Sequence, residues 1–186
     1  VRWKTPDGEP TGRTHMLLMV DLPEGPYIAD AGFGGITLTG PIPFVMNEEA
    51  ATPHEPRRIV PVGGAVETFE LQAKLGTAWV PVYQFSLERQ SQADYELSNW
   101  FTATHPTSIF VTYLIAARPA VDRRITLFNT ELTIRGRDGK AQVRQLADVA
   151  EMAEVLDRHF GLRVPVDELS PLVTPHLDAW RALGAH

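Results

Sequence analysis

The chain has 186 residues, a formal net charge of −6 and no cysteine. That length suits one compact domain or two small ones, and it can bury about 70% of the unfolded surface without a disulfide or metal staple. An apolar fraction of 44% and a charged fraction of 22% exclude wholesale disorder and collagen-like repeats, and the acidic balance argues against a general nucleic-acid binder. The absence of cysteine excludes a disulfide scaffold, a cysteine zinc site and a cysteine nucleophile within this stretch. Arg57-Arg58 and Arg123-Arg124 read as isolated, solvated pairs. The strongly apolar stretches 16–20 and 109–117 are too short to cross a bilayer, so no membrane partner is expected. The sequence opens on Val1, and no signal-peptide pattern precedes the first folded-looking segment.

Residues 1–13 are polar and turn-rich, with Asp7-Gly8 and Gly12 as breakers. Residues 14–21 read as a buried strand, Pro23-Glu24-Gly25-Pro26 as a turn and 27–31 as the returning strand. Further strands are predicted at 58–62, 66–72 and 79–85, a spacing that points to a small barrel or sandwich. A short helix is predicted over 91–101, with Tyr95, Leu97, Trp100 and Phe101 as its apolar members and His105-Pro106 as its end. Strands follow at 110–117, 124–128, 131–135 and 141–146, and Asp138-Gly139 marks a tight hairpin turn. Val149, Met152, Val155, Leu156 and Phe160 then fall at helical spacing before Gly161, a natural stop. Thr174-Pro175 reads as the start of a terminal helix that buries Leu177, Trp180 and Leu183.

None of the six histidines forms HExxH or an i, i+4 histidine pair, so no metal centre is expected. No GxSxG elbow and no Walker loop is present. His15 heads the first strand and Asp30 ends the second, so antiparallel pairing brings them together. A carboxylate beside an imidazole fixes its tautomer and stabilises the protonated ring. The same two residues also read as a polar strand end and a cap on the following turn. Gly32-Phe33-Gly34-Gly35 departs from GxGxxG; it reads either as a tight turn or as backbone that approaches a ligand closely. Phe33 reads as core or as pocket lining.

Arg13-Thr14-His15-Met16-Leu17-Leu18 and Ala29-Asp30-Ala31-Gly32-Phe33-Gly34-Gly35 together resemble the arylamine N-acetyltransferases. Ser98-Asn99-Trp100-Phe101-Thr102-Ala103-Thr104-His105-Pro106 resembles the family's Asn-Trp-Tyr/Phe stretch, and Phe110-Val111-Thr112 through Ala116-Ala117-Arg118-Pro119 resembles the strand after it. The resemblance covers roughly residues 1–160. It implies an α+β fold of the papain-like, cysteine-acyltransferase kind. An antiparallel β-barrel would occupy residues 1–90, a connecting helix and loop 91–106 and an α/β lid 107–186. The family's N-terminal helical domain, with the cysteine of its Arg-Gly-Gly-x-Cys motif, has no counterpart here. The expectation is a truncated piece whose cysteine lies before Val1.

The resemblance implies two-step transfer of acetyl from acetyl-coenzyme A, through a cysteine, to an arylamine or arylhydrazine, as in xenobiotic metabolism. His15 and Asp30 would be the catalytic residues supplied here. Thr14, Gly32, Gly34 and Gly35 would contact coenzyme A, and Phe33 and Phe110 would line the acceptor pocket. Without the cysteine the chain alone should be inactive. A cytoplasmic location is inferred, with no nucleic-acid or membrane partner; the oligomeric state is open. One alternative is an amide synthase relative acting on polyketide acyl chains. Others are a transglutaminase-like cysteine enzyme and a cysteine-less module that binds coenzyme A or an aromatic ligand.

Overall fold

The computed structural model describes residues 1–2, 11–64 and 66–182. Asp7-Gly8 and Leu183 lie outside the described residues. The first half holds two three-stranded antiparallel sheets. One orders β1 (Leu18–Leu22), β2 (Gly25–Ala29) and β3 (Ile42–Pro43); the other orders β4 (Arg57–Pro61), β5 (Thr68–Leu75) and β6 (Ala78–Ser86). No strand ladder joins them into the expected closed barrel among the described residues. They instead share one core, in which Phe44, Phe69 and Phe85 meet with ring centroids 5.0–6.4 Å apart among buried Ile28, Ile42, Ile59 and Leu71. Such ring pairs each add about 0.5–1.5 kcal/mol beyond the area they bury.

The first strand corrects the sequence reading. β1 begins at Leu18, and all five of its residues are exposed. It is an edge strand, paired with β2 alone among the described residues. The hairpin itself is as expected, with Leu18 opposite Ala29 and Leu22 opposite Gly25. Helix α1 (Gln92–Thr104) starts at Ser91, whose hydroxyl accepts from the Asp94 N–H while Asp94 accepts from the Ser91 N–H. This reciprocal cap satisfies donors that a helix start leaves open, and is worth about 1 kcal/mol. The apolar residues of α1 are all exposed, with Trp100 at 60%.

The second half carries a four-stranded antiparallel sheet, ordered β10-β9-β8-β7, and a helical layer. Its strands are β7 (Ile115–Pro119), β8 (Arg123–Phe128), β9 (Glu131–Gly136) and β10 (Ala141–Gln145). Phe110 does not open a strand as expected. It lies in a single helical turn, α2 (Ile109–Thr112), because the Ser108 hydroxyl caps the Phe110 N–H and the Thr112 hydroxyl donates back to the Ser108 carbonyl. Helix α3 (Val149–Val155) continues as one wide turn over Leu156–Phe160 and stops at Gly161 with φ of +71°. Helix α4 (Val166–Ala182) starts eight residues ahead of the expected Thr174 and contains both Pro171 and Pro175. An interior proline removes a backbone hydrogen bond and costs about 3 kcal/mol. Leu169, Val173 and Leu177, buried at spacings of four in the second core, offset that loss. Trp180 is only half-buried.

Candidate active site

The β1–β2 hairpin places the first pair. Continuing its register puts Asp30 opposite Leu17, two residues from His15. The His15 Nε2 lies 2.9 Å from Asp30 Oδ1. Asp30 Oδ1 also accepts from the Gly32 N–H at 3.0 Å, and Oδ2 accepts from the Tyr83 hydroxyl at 2.8 Å. The Asp30 side chain is fully buried, whereas that of His15 keeps 20% of its surface.

Burial alone would push the Asp30 carboxyl up; hydrogen bonds from His15, Gly32 and Tyr83 outweigh it and hold the group below the usual carboxylate range. Burial, followed by the charge of Asp30, pushes the Tyr83 phenol far above its ordinary value, so Tyr83 stays a donor. Among the described residues no hydrogen bond engages His15 Nδ1. An ionised Asp30 accepts the Nε2–H and leaves Nδ1 for chemistry.

Phe33 packs edge-to-face with the His15 ring at 5.2 Å and with the Tyr83 ring at 4.7 Å. Phe33 and Tyr83 wall the imidazole against the first core. Its open side borders a cleft of about 620 Å³, lined by Arg13, Met16, Leu18, Phe85, Glu88 and Tyr95 among others. The glycine loop follows Asp30 directly. Gly34 has φ of +108°, and a Cβ on Gly35 would sit 2.7 Å from Thr126 Cγ2. Both positions therefore need glycine: one for its backbone angle, one for close approach to β8.

The structure brings together His15, Asp30, Gly32 and Phe33, with Gly34 and Gly35 in the adjoining loop. Thr14 is half-buried next to His15 in the chain. Phe110 stands apart: it is 60% exposed on α2 and makes no ring contact with His15 or Phe33 among the described residues. Tyr83 escaped the sequence reading. A tyrosine on the inward face of β6, alternating with Phe85, is the signal that was available, because a buried phenol needs a hydrogen-bond partner. Arg57 and Arg124 correct it too. Arg57 is wholly buried and Arg124 is 5% exposed, so neither is a solvated surface charge. Among the described residues there is no cluster of three or more His, Asp or Glu side chains able to hold a metal, and no helix long and apolar enough to cross a membrane.

An N-acetyltransferase family model matches residues 1–169. The arylamine N-acetyltransferase of Mycobacterium tuberculosis is 36% identical over 88% of this chain and 58% of its own length. That of Escherichia coli is 37% identical over 85% of this chain and 58% of its own. The Mycobacterium marinum arylamine N-acetyltransferase, solved in complex with CoA, superposes with a TM-score of 0.78 at 37% identity. That likeness covers 84% of this chain and 57% of the solved one. The chain thus spans a little under three fifths of the length of these relatives, and over that span it belongs to the arylamine N-acetyltransferase family.

Proposed function

We propose that this chain carries the histidine and aspartate of an acetyl-coenzyme A-dependent arylamine N-acetyltransferase. The observation that carries the reading is the His15–Asp30 pair, with His15 Nε2 committed to a buried carboxylate and the partly exposed ring bordering a cleft. Such a pair is built to hold a proton taken from a thiol and to stabilise the thiolate beside it. The chain has no cysteine, and its relatives are longer. The nucleophile is therefore assigned to a part of the protein outside this sequence, and the chain alone is expected to be inactive.

In the first step the thiolate attacks the acetyl carbonyl of acetyl-coenzyme A. A carbon–sulfur bond forms to the enzyme, and the bond to coenzyme A breaks. The departing thiolate takes the proton held on His15. In the second step an arylamine or arylhydrazine nitrogen attacks the acetyl-cysteine, His15 accepts a proton from that nitrogen, and the cysteine thiolate leaves. Asp30 holds the ring throughout, Tyr83 and Gly32 hold Asp30, and Phe33 limits the approach of water. The backbone N–H groups of Gly34 and Gly35 would meet the acyl group or coenzyme A, since those of Gly32 and Phe33 are engaged by Asp30 and Thr37. Residues 1–90 would act as the site-bearing domain and 107–186 as a lid, joined by 91–106. Steady-state kinetics of the native gene product test this: parallel double-reciprocal lines for donor and amine are expected. Intersecting lines, or equal turnover by this cysteine-free chain, would refute it.

A further inference from the structure

Three consecutive carbonyls of the glycine loop point at two buried guanidinium groups. Arg124 on β8 donates from Nη1 to the Gly35 carbonyl at 3.3 Å and from Nη2 to the Thr37 carbonyl at 3.0 Å. Arg57 on β4 donates from Nη2 to the carbonyls of Ile36 at 3.0 Å and Thr37 at 3.3 Å. Glu55 binds the Arg124 fork with both oxygens, at 2.7–3.1 Å, and meets Arg57 Nη2 at 3.3 Å. Hydrogen bonds from Arg124 outweigh burial and hold the Glu55 carboxyl below its usual range. The cluster thus joins the second sheet of the first half, the sheet of the second half and the loop beside His15.

A buried ion cluster is an inefficient stabiliser, because desolvation offsets most of its attraction. This one also leaves Arg57 Nε and Nη1 without a hydrogen-bond partner among the described residues. Its benefit lies in geometry. The loop is closed internally by Phe33 N–H to the Thr37 hydroxyl and Thr37 N–H to the Gly34 carbonyl. Its near end supplies the Gly32 N–H to Asp30 and the Phe33 ring that packs edge-to-face with His15. Thr126, two residues from Arg124 on β8, abuts Gly35.

We propose that Arg57 and Arg124 are positioning residues: by drawing the 35–37 carbonyls inward they set the loop that orients Asp30 and His15, and Arg124 ties that loop to the second half. The ligand-facing part of this proposal rests on the coenzyme A reading above. The test is amide hydrogen exchange on the native gene product and its Arg124→Met and Arg124→Lys variants. Losing charge-assisted bonds should speed exchange of the Phe33 and Thr37 amides by about tenfold or more, while β5 and β9 amides keep their rates. Lysine retains the charge but not the fork, so a smaller increase is expected; it also serves as the reporter if Arg124→Met does not fold. Unchanged loop amides, or loop amides that speed up only as much as β5 and β9, would overturn the positioning role. Titration with coenzyme A, followed by loop amide resonances, forms the second arm. Several-fold weaker binding by Arg124→Lys supports the link to the ligand. Equal binding by an opened loop overturns that link. A wild-type protein that shows no binding counts against the function proposed above, and leaves exchange to decide the positioning role.

Discussion

The two halves of the molecule fill their interiors differently. The second core is aliphatic, with Leu127, Leu146, Met152 and Val173 all at 1% exposure or less. The first mixes aliphatic side chains with aromatic rings and is interrupted by ionisable groups: Asp30, Glu70 and Arg57 are buried in that half, and Tyr83 belongs to the core itself. An aliphatic core depends on volume and tolerates small shifts in direction. A set such as His15–Asp30–Tyr83 depends on where each lone pair points. Losing atoms in the second half should therefore cost stability, whereas losing a single donor or acceptor in the first should cost chemistry.

The sharpest break of that contrast is Asp30→Asn in the native gene product. Asparagine keeps the shape but cannot accept from both His15 and Tyr83 as a carboxylate does. Acetyl transfer should fall by roughly 10³–10⁴-fold, as read from the rate of enzyme acetylation, with the fold intact by circular dichroism. In the second half, Met152→Ala should cost about 2–5 kcal/mol in denaturant unfolding. Once corrected for the folded fraction, its acetylation rate should stay near that of the wild type.

Tyr83→Phe lies between these two. It leaves Asp30 Oδ2 buried without its donor, a loss of about 1–3 kcal/mol, and it should raise the Asp30 pKa in a carboxyl-resolved NMR titration. The pH dependence follows from the same carboxylates. Asp30 and Glu55 titrate below their ordinary values in the folded chain. Their contribution is complete above the ordinary carboxylate range and is lost as pH falls through the lowered folded values. The acid-unfolding midpoint should accordingly move to higher pH in Tyr83→Phe and stay in place for Met152→Ala once global stability is matched. The smallest effect is expected at the exposed Arg158–Glu154 pair, where Glu154→Ala should change stability by no more than about 0.5 kcal/mol.

What was legible in the sequence was local. A short turn between two strands brings His15 to Asp30, and the ends of other elements are marked locally, by backbone freedom at Gly161 and Asp138-Gly139 and by the hydroxyl of Ser91. What was illegible depended on distant partners. Arg57 and Arg58 look alike as a pair, but strand alternation sends Arg57 inward and leaves Arg58 over the Trp79 ring. Arg123 and Arg124 divide in the same way. The partner of Tyr83 lies 53 residues away. Helix α4 ran through two prolines because packing of Leu169, Val173 and Leu177 outweighed a local penalty that no window of sequence weighs against burial. The exposed β1 face defeated the reading for the opposite reason: an apolar run does not tell which of its faces is covered.

The central claim is that His15 and Asp30 serve an acyl-cysteine. Its most direct test is the intact mass of the native gene product before and after incubation with acetyl-coenzyme A. The account predicts a mass well above the 20.6 kDa of this chain, a gain of one acetyl group on a cysteine, and loss of that group when an arylamine is added. A mass equal to that of this chain with no acetyl adduct would contradict the account and leave a ligand-binding member of the family in its place.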